Sequence, residues 1–182
     1  YILTITDNNA CEDTVSSLII EPITLSIATD VTNPSCFNDA DGIIDIQISG
    51  GTQPYNATYL SGTNTYPNAN SIIITGLGVG SDTLYVTDLN GCQKTSFITL
   101  LQPLALQINN ITGVNPTCYN YTDGSVSIVV TGGNLPYTYQ LIDDNGSNIG
   151  MTSNTNGLAD GIYTYIVNDV YGCTDSTQFS IT

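Results

Sequence analysis

The chain has 182 residues, of which 16 are acidic and one, Lys94, is basic, so that its net charge is −15. This charge excludes nucleic acid and anionic membranes as partners, because both are bound through Lys and Arg side chains. The sequence also contains no His and no apolar run of about 20 residues, which argues against acid–base catalysis and against membrane insertion.

Internal repetition organises the sequence. An Asp that precedes a Cys by four residues recurs twice at a step of 81 residues, and the landmarks Asn-Pro, Cys, Asp-Gly and Gly-Gly-x-x-Pro-Tyr recur at a step of 82 residues. Such periods indicate a repeat architecture. We predict the C-terminal part of a preceding repeat at 1–22, a complete repeat at 23–103 and a second repeat at 104–182.

Alternating apolar residues predict the strands of each repeat, which we letter in chain order. Strand B is the clearest, because Ile44, Ile46 and Ile48 alternate with polar residues. The predicted strands are A near 25–27, B at 44–48 and 126–130, C at 55–59 and 137–141, E at 72–75 and 151–155, F at 3–6, 84–87 and 163–168, and G at 18–20, 97–101 and 179–181. Short strands with turn signals at this spacing are typical of immunoglobulin-like sandwiches. We therefore predict an all-β fold of tandem immunoglobulin-like β-sandwich repeats, placed end to end.

Several acidic residues lie where tight turns are expected. Asp7, Asp88 and Asp169 each precede a predicted F–G turn, and a turn Asp usually accepts hydrogen bonds from its own backbone. Asp160-Gly161-Ile162-Tyr163 has the spacing of a tyrosine corner. Asn145-Gly146 predicts a type I′ hairpin turn.

The sequence predicts no catalytic residue, no cofactor and no metal site, with calcium as the alternative. Asp39 and Asp41 are the calcium candidates, because carboxylates and nearby carbonyls are the oxygen ligands that calcium takes. The second repeat keeps only Asp123 in the matching loop, which argues against a shared site. Tyr55 and Tyr137 are interpreted as packing residues, with sugar-binding platforms as the alternative.

The cysteines recur at fixed repeat positions, and a His-free chain without a Cys-x-x-Cys motif favours disulfides and an oxidising compartment. Pairing within repeats would join Cys36 to Cys92 and Cys118 to Cys173. The A–B loop and the F–G turn lie at opposite ends of a sandwich, however, and a strand spans nearly 20 Å, whereas bridged Cα atoms lie within about 7 Å. We therefore predict an inter-repeat disulfide between Cys36 and Cys173, with pairing within repeats kept as the alternative. Cys11, Cys92 and Cys118 would then pair outside this chain.

The ordered landmarks carry a family resemblance. A Cys before Asp-Gly, then Gly-Gly-x-x-Pro-Tyr, Gly-Leu-x-x-Gly, Asp-x-x-Gly-Cys and Gln-Pro together resemble the SprB-type repeat of giant gliding-motility and cell-surface adhesins. The F–G segment is distantly similar to polycystic-kidney-disease-type domains. The chain departs from the pattern at Ala10, which replaces a Gly. The resemblance implies type IX secretion, a location at the extracellular cell surface, and a role in adhesion or gliding as a long filament.

The same resemblance implies modification sites. Thr14, Thr83 and Ser176 each follow an Asp and resemble the O-glycosylation signal that bacteria of this group use.

Two functions are consistent with the sequence. The first is a structural and adhesive shaft, whose partners are the neighbouring repeats of the same chain. The alternative is a module that binds surface polysaccharide or a cell-surface protein through the variable C–E loops at 61–70 and 142–150.

Overall fold

The computed structural model describes residues 1–60 and 64–182. Regular structure in this part of the chain consists of antiparallel β-strands. Within the same part, no helix has the length and apolar character needed to cross a membrane.

The strands fall into an N-terminal hairpin and two sets of seven. The hairpin consists of β1 (Ile2–Thr6) and β2 (Glu12–Ser16). The first repeat contains β3 (Ser26–Thr32), β4 (Gly42–Ser49), β5 (Asn56–Tyr59), β6 (Asn64–Pro67), β7 (Ser71–Leu77), β8 (Gly80–Thr87) and β9 (Gln93–Leu100). The second repeat contains β10 (Gln107–Val114), β11 (Gly124–Thr131), β12 (Thr138–Asp143), β13 (Asn148–Gly150), β14 (Asn154–Leu158), β15 (Gly161–Asn168) and β16 (Thr174–Ile181).

The order of the strands in the sheets identifies the fold. In the second repeat, one sheet has the order β10-β11-β14 and the other β13-β12-β15-β16. These are strands A-B-E and C′-C-F-G of an immunoglobulin-like sandwich, with A, B, C, E, F and G in the predicted sequence order. The first repeat has the same two sheets, β3-β4-β7 and β6-β5-β8-β9. The predicted all-β fold of tandem immunoglobulin-like sandwiches is confirmed, and the strands that the sequence missed are the C′ strands β6 and β13.

The chain divides into two compact units whose limits differ from those of the repeats. The first comprises Tyr1–Ala28, Ile46–Ile72 and Thr83–Ser96, and the second comprises Thr29–Asp45, Ile73–Asp82 and Phe97–Thr182. The second unit therefore holds the second repeat together with the A–B loop of the first. The repeat boundaries after residues 22 and 103 stay a prediction.

The core follows from the alternation that the sequence displays. In the second repeat, Leu141, Tyr165 and Val167 have no exposed surface, because alternate residues of β12 and β15 point to the same face. The ring of Phe179 stacks on Tyr163 and Tyr165, with centroids 5.8 and 5.9 Å apart. In the first repeat, the buried apolar residues are Leu25, Ile44, Ile46, Ile48, Tyr55, Ala57, Tyr59, Ile72, Ile74, Leu84, Val86, Ile98 and Leu100.

Two strand positions predicted from the sequence are wrong. Residues 18–20, predicted as strand G of the N-terminal hairpin, lie outside any strand, and the second strand is β2. The apolar residues gave the wrong position because the Asp7 turn starts the pairing at Thr6 and Glu12, so that polar residues fill the strand. Strand E of the second repeat is β14, three residues beyond the predicted 151–155, and its buried residue is Leu158.

The turn type predicted at Asn145-Gly146 is also wrong. A hairpin is present there, but only Gly146 has a positive φ (81°), whereas a type I′ turn needs two such residues. The Gly146 N–H donates to the Asp143 carbonyl (3.0 Å), and the Asp143 N–H donates to the Ser147 carbonyl (3.0 Å). Gly146 is thus the left-handed residue of a longer hairpin turn, in which the Asp143 side chain also accepts the Asn145 and Ser147 N–H groups.

Candidate functional site: the joint between repeats

A buried carboxylate connects two turns at one end of the second repeat. Oδ1 of Asp169 accepts the N–H groups of Tyr171 (2.9 Å) and Cys173 (3.0 Å) in the F–G turn. Its Oδ2 accepts the N–H of Asn134 (2.8 Å) in the B–C turn. Asp169 is only 5% exposed. We call the B–C and F–G turns joined in this way the paired turns.

The carboxylate is stabilised in its ionised form. Burial raises the pKa of Asp169, but the N–H groups of Asn134, Cys173 and Tyr171 together lower this pKa below its ordinary value. The first repeat has equivalent paired turns, in which Asp88 accepts the N–H groups of Thr52 and Cys92. There the Thr52 N–H is the largest cause of the lowered Asp88 pKa.

The Gly-Gly-x-x-Pro-Tyr landmark shapes the B–C turn. Gly133 has a φ of 59°, and a Cβ there would lie 3.0 Å from Asp169 Oδ2. The Tyr137 hydroxyl donates to the Gly132 carbonyl, as the Tyr55 hydroxyl does to the Gly50 carbonyl. Both tyrosines therefore serve the turn, and burial of Tyr55 leaves no open face for a sugar.

The A–B loop of the first repeat is held by a second carboxylate. The Ser35 N–H donates to Asp41 Oδ1 (2.9 Å). Hydrogen bonds from Ser35, first its side chain and then its backbone, lower the Asp41 pKa. Asn33 accepts the Leu101 N–H (2.9 Å) and so fixes the point at which strand G leaves the repeat.

These two elements meet in a covalent joint. A disulfide joins Cys36 to Cys173 with their Cα atoms 5.6 Å apart, which is the inter-repeat pair predicted from the sequence. The Ser35 carbonyl accepts a hydrogen bond from Asn134 Nδ2 (3.3 Å) and lies 3.5 Å from Cys173 Sγ. The sulfur contact is not a hydrogen bond, because a disulfide sulfur carries no hydrogen. All these residues belong to the second compact unit.

The sequence did not identify the polar contacts of this joint. Asn134 differs from its counterpart Thr52, and this difference at the position after Gly-Gly was the available signal. The bond from Asp169 to the B–C turn was also missed, because turn preferences describe only local partners. The predicted tyrosine corner is present, since the Tyr163 hydroxyl donates to the Ala159 carbonyl (3.0 Å).

The other predicted site residues lie outside the joint or are already engaged. Among the described residues, no three His, Cys, Asp or Glu side chains are grouped as a metal site requires. Asp41 is engaged with Ser35 and Asp39 is exposed, and calcium at these two residues stays the alternative to the prediction of no metal site. Cys11, Cys92 and Cys118 are exposed thiols in this chain. Of the glycosylation candidates, Thr14 and Ser176 are exposed and Thr83 is half-buried.

Solved structures that match the chain are remote from it. They include a C-terminal fragment of intimin, solved with the intimin-binding domain of its translocated receptor (16% identity, 87% of this chain, 64% of that chain, TM-score 0.45). A second match is the IG1+IG2 fragment of DIP-gamma (11% identity, 87% of this chain, 96% of that chain, TM-score 0.45). A third is the fragment with the N-terminal eight Ig domains of Down Syndrome Cell Adhesion Molecule (12% identity, 88% of this chain, 25% of that chain, TM-score 0.46). The chain thus spans about 64% of the intimin fragment.

The sequence comparisons are more specific. No curated protein sequence matches the chain. The family model of the SprB repeat matches residues 28–63 and 110–146, which contain the A–B loop, strand B and the paired Gly residues of each repeat. The resemblance stated from the landmarks is thereby confirmed at these two segments, which match the SprB repeat.

Proposed function

We propose that this chain is a segment of the shaft of an extracellular surface adhesin, in which disulfides tie each repeat to the next. The observation that carries the proposal is the Cys36–Cys173 disulfide, which joins residues 137 positions apart in different repeats. Disulfides persist in oxidising, extracytoplasmic compartments. A disulfide between two repeats limits how far they can move relative to each other, whereas a disulfide within one repeat does not.

The disulfide changes the route that tension takes through the chain. Force applied at the two ends reaches Cys36, crosses to Cys173 and bypasses the 137 positions between them. These positions include β4–β9 of the first sandwich and β10–β15 of the second, so that these strands are not loaded. β3 and β16 lie outside the closed loop and carry the tension along their extended backbones. The shaft then transmits tension through covalent bonds.

Single-molecule stretching tests this proposal. The oxidised chain, pulled from both termini, should extend about 48 nm less than its Cys36→Ser variant, because 137 positions at roughly 3.5 Å each stay closed. Cys118→Ser is the matched control and should extend like the unaltered chain. Equal extension of the oxidised chain and Cys36→Ser would contradict the proposed route of tension.

The surface location, the type IX secretion route and the link to gliding are part of the same proposal, and they rest on the SprB repeats. Asp41, Asp88, Asp123 and Asp169 accept hydrogen bonds that hold loops and turns, and we assign the segment no catalytic role. Surface labelling of the parent protein, in cells with and without the type IX machinery, tests the route. Labelling that persists without that machinery would contradict it.

A binding role for the C–E loops is the second candidate. Ile149 on β13 is 41% exposed and Met151, directly after β13, is 74% exposed, which gives this side of the C–E segment of the second repeat two apolar side chains at the surface. Ser61–Thr63, in the corresponding loop of the first repeat, lie outside the described residues. Surface polysaccharide or a cell-surface protein would be the ligand, and Met151→Ser should then weaken binding of the parent protein to its target surface.

Glycosylation at Thr14, Thr83 and Ser176 also stays a proposal. Exposure of Thr14 and Ser176 makes these two accessible to a transferase. An intact mass of native material that exceeds the polypeptide mass, and falls in Thr14→Ala or Ser176→Ala, would support it. A mass equal to the bare polypeptide would contradict it.

A further inference from the structure

We infer that the second repeat ends in a preformed docking surface, and that its occupant is the paired turns of a further repeat of this type. We call this surface the open end, and define it by the loop 115–123 and the strand end at Thr182. The inference deepens the proposed function and rests on it, because it takes the Cys36–Cys173 joint as the pattern for the next joint.

The loop of the open end is held in the conformation seen at the occupied joint. The Thr117 N–H donates to Asp123 Oδ1 (2.9 Å), and the Thr117 hydroxyl donates to Asp123 Oδ2 (2.7 Å). Ser35 and Asp41 make the same backbone bond at the occupied joint. The loop therefore needs no occupant to take this shape.

The strand that leaves the repeat is held in the same way. The Thr182 N–H donates to Asn115 Oδ1 (3.1 Å), just as the Leu101 N–H donates to Asn33 Oδ1 (2.9 Å). Two separate contacts of the occupied joint are thus reproduced where no repeat is present. A preformed surface of this kind binds at a lower entropic cost than one that must fold on contact.

The groups that the joint covers in the first repeat are uncovered here. Phe37 is 46% exposed at the occupied joint, whereas its counterpart Tyr119 is 83% exposed. Tyr119 and Cys118 line one groove with Ile162 and Ile181. An exposed ring, a thiol and an apolar groove at the position of a known contact fit a partner of the same kind.

The occupied joint defines the chemistry of that partner. The partner must supply an Asp-x-x-Gly-Cys turn like the one at 169–173. It must also supply a side-chain amide that donates to the Thr117 carbonyl, as Asn134 donates to the Ser35 carbonyl at the occupied joint. In the first repeat this place is taken by Thr52, whose side chain is shorter and carries a hydroxyl in place of the amide; this hydroxyl accepts a hydrogen bond from Asn90 Nδ2 (2.9 Å). The open end should therefore prefer a repeat with Gly-Gly-Asn to one with Gly-Gly-Thr.

Docking places Cys118 beside the cysteine of the new turn. The two thiols then lose two protons and two electrons to a disulfide oxidant, such as oxidised glutathione, which leaves as two glutathione thiols. Cys118 lies inside the loop that Cys36 and Cys173 close, so the two covalent loops overlap. Successive bridges of this kind would leave no sandwich of the array outside a covalent loop.

The experiment extends the chain at Thr182 with a copy of residues 102–182, in a glutathione redox buffer; the copy carries Cys118→Ala and the exposed-site change Val170→Ile, so that its peptides at these two positions differ in mass from the originals. Non-reducing peptide mapping should join Cys118 to the copy of Cys173. With Cys118→Ser in place, backbone amides of residues 117–121 should still exchange at least tenfold more slowly than in the chain without the copy. A free Cys118, or a link from Cys118 to Cys11 or Cys92, would overturn the inference, as would unchanged exchange in the Cys118→Ser chain.

Two controls separate the possible failures. Exchange in the core strands of the copy reports, in the same data, that the copy has folded. Asn134→Ala in the copy alone should reduce the protection of residues 117–121, and an unchanged protection would overturn the preference for Gly-Gly-Asn. Failure at Cys118 with the Cys36–Cys173 link intact overturns only this inference, whereas loss of the Cys36–Cys173 link would contradict the proposed function itself.

Discussion

The N-terminal hairpin and the F–G hairpin of the second repeat share a turn but differ in everything around it. Asp7 Oδ1 accepts the N–H groups of Asn9 (2.8 Å) and Cys11 (2.9 Å), which reproduces the contacts of Asp169 with its own turn. The apolar residues of the first hairpin are nevertheless exposed, whereas the inward-facing set of the second, Tyr163, Tyr165, Val167 and Ile181, is buried. The turn is therefore encoded locally, and the core and the joint depend on segments distant in sequence.

The largest difference should come from the cysteines that end these two turns. Cys173→Ser should lower the free energy of unfolding by up to about 5 kcal/mol, because it opens a loop of 137 positions. Cys11→Ser alters an exposed thiol and should change stability by no more than about 0.5 kcal/mol. Denaturant unfolding under oxidising conditions measures both. A reducing agent should abolish the difference, and similar losses in the two variants would contradict it.

Two equivalent leucines of strand F should differ nearly as much. Leu84 is fully buried, and Leu84→Ala should cost about 2–5 kcal/mol through lost burial and a residual cavity. Leu3, at the same position of the hairpin, is 58% exposed, and Leu3→Ala should cost less than about 0.5 kcal/mol. Thermal unfolding followed by circular dichroism compares them. A large loss from Leu3→Ala would show that the hairpin is packed in solution.

These contrasts also show what the sequence could predict. Alternating Ile44, Ile46 and Ile48 gave strand B correctly, because a strand with one buried face has a period of two residues. The Cys36–Cys173 pair was predicted correctly because the A–B loop and the F–G turn of one repeat lie at opposite ends of a strand, and a strand is too long for a disulfide to span. Both arguments depend only on the geometry of one element.

Predictions failed where the signal was polar or came from distant residues. Strand β14 has the sequence Asn-Thr-Asn-Gly-Leu, and its apolar content did not identify it because pairing with β11 decides its place. The Asn134 contact with Ser35 joins residues 99 positions apart, and no local pattern encodes it. Strand G of the second repeat, β16, contains the predicted residues 179–181 but begins five residues earlier, at Thr174, because its polar first half pairs with strand F.

The turn carboxylates should separate the two hairpins by a smaller amount. Both oxygens of Asp169 accept N–H groups, so Asp169→Asn would set an amide NH₂ against a donor and should cost about 1–3 kcal/mol. Asp7 uses Oδ1 alone, and Asp7→Asn can keep both bonds through its single oxygen. Amide exchange at Cys173 and Cys11 measures each turn. Equal opening of the two turns would contradict this account.

Acid should act through the same carboxylate. The folded-state pKa of Asp169 is lowered, so its contribution is present above the unfolded-state pKa of about 3.9 and is lost as pH falls through the folded-state pKa. Unfolding temperature should therefore fall below about pH 4. The unfolding temperature of Asp169→Asn should fall less steeply below this pH than that of the unaltered chain. An equal slope in both proteins would assign the acid sensitivity to other carboxylates.

The smallest effect concerns the residue before the cysteine of each turn. This residue is Ala10 in the N-terminal hairpin and Gly172 in the F–G hairpin of the second repeat. Ala10 has a φ of 64° and Gly172 a φ of 87°, so both positions are left-handed. Nothing lies within 4 Å of a Cβ added at Gly172, and Gly172→Ala should therefore cost about 1 kcal/mol from backbone strain alone. Ala10→Gly should relieve a similar strain and slow amide exchange at Cys11 by a few-fold, because the same turn then forms without it. Faster amide exchange at Cys11 in Ala10→Gly would mean that the flexibility of Gly in the unfolded hairpin outweighs the relieved strain. The two hairpins would then differ in their turns as well as in their surroundings.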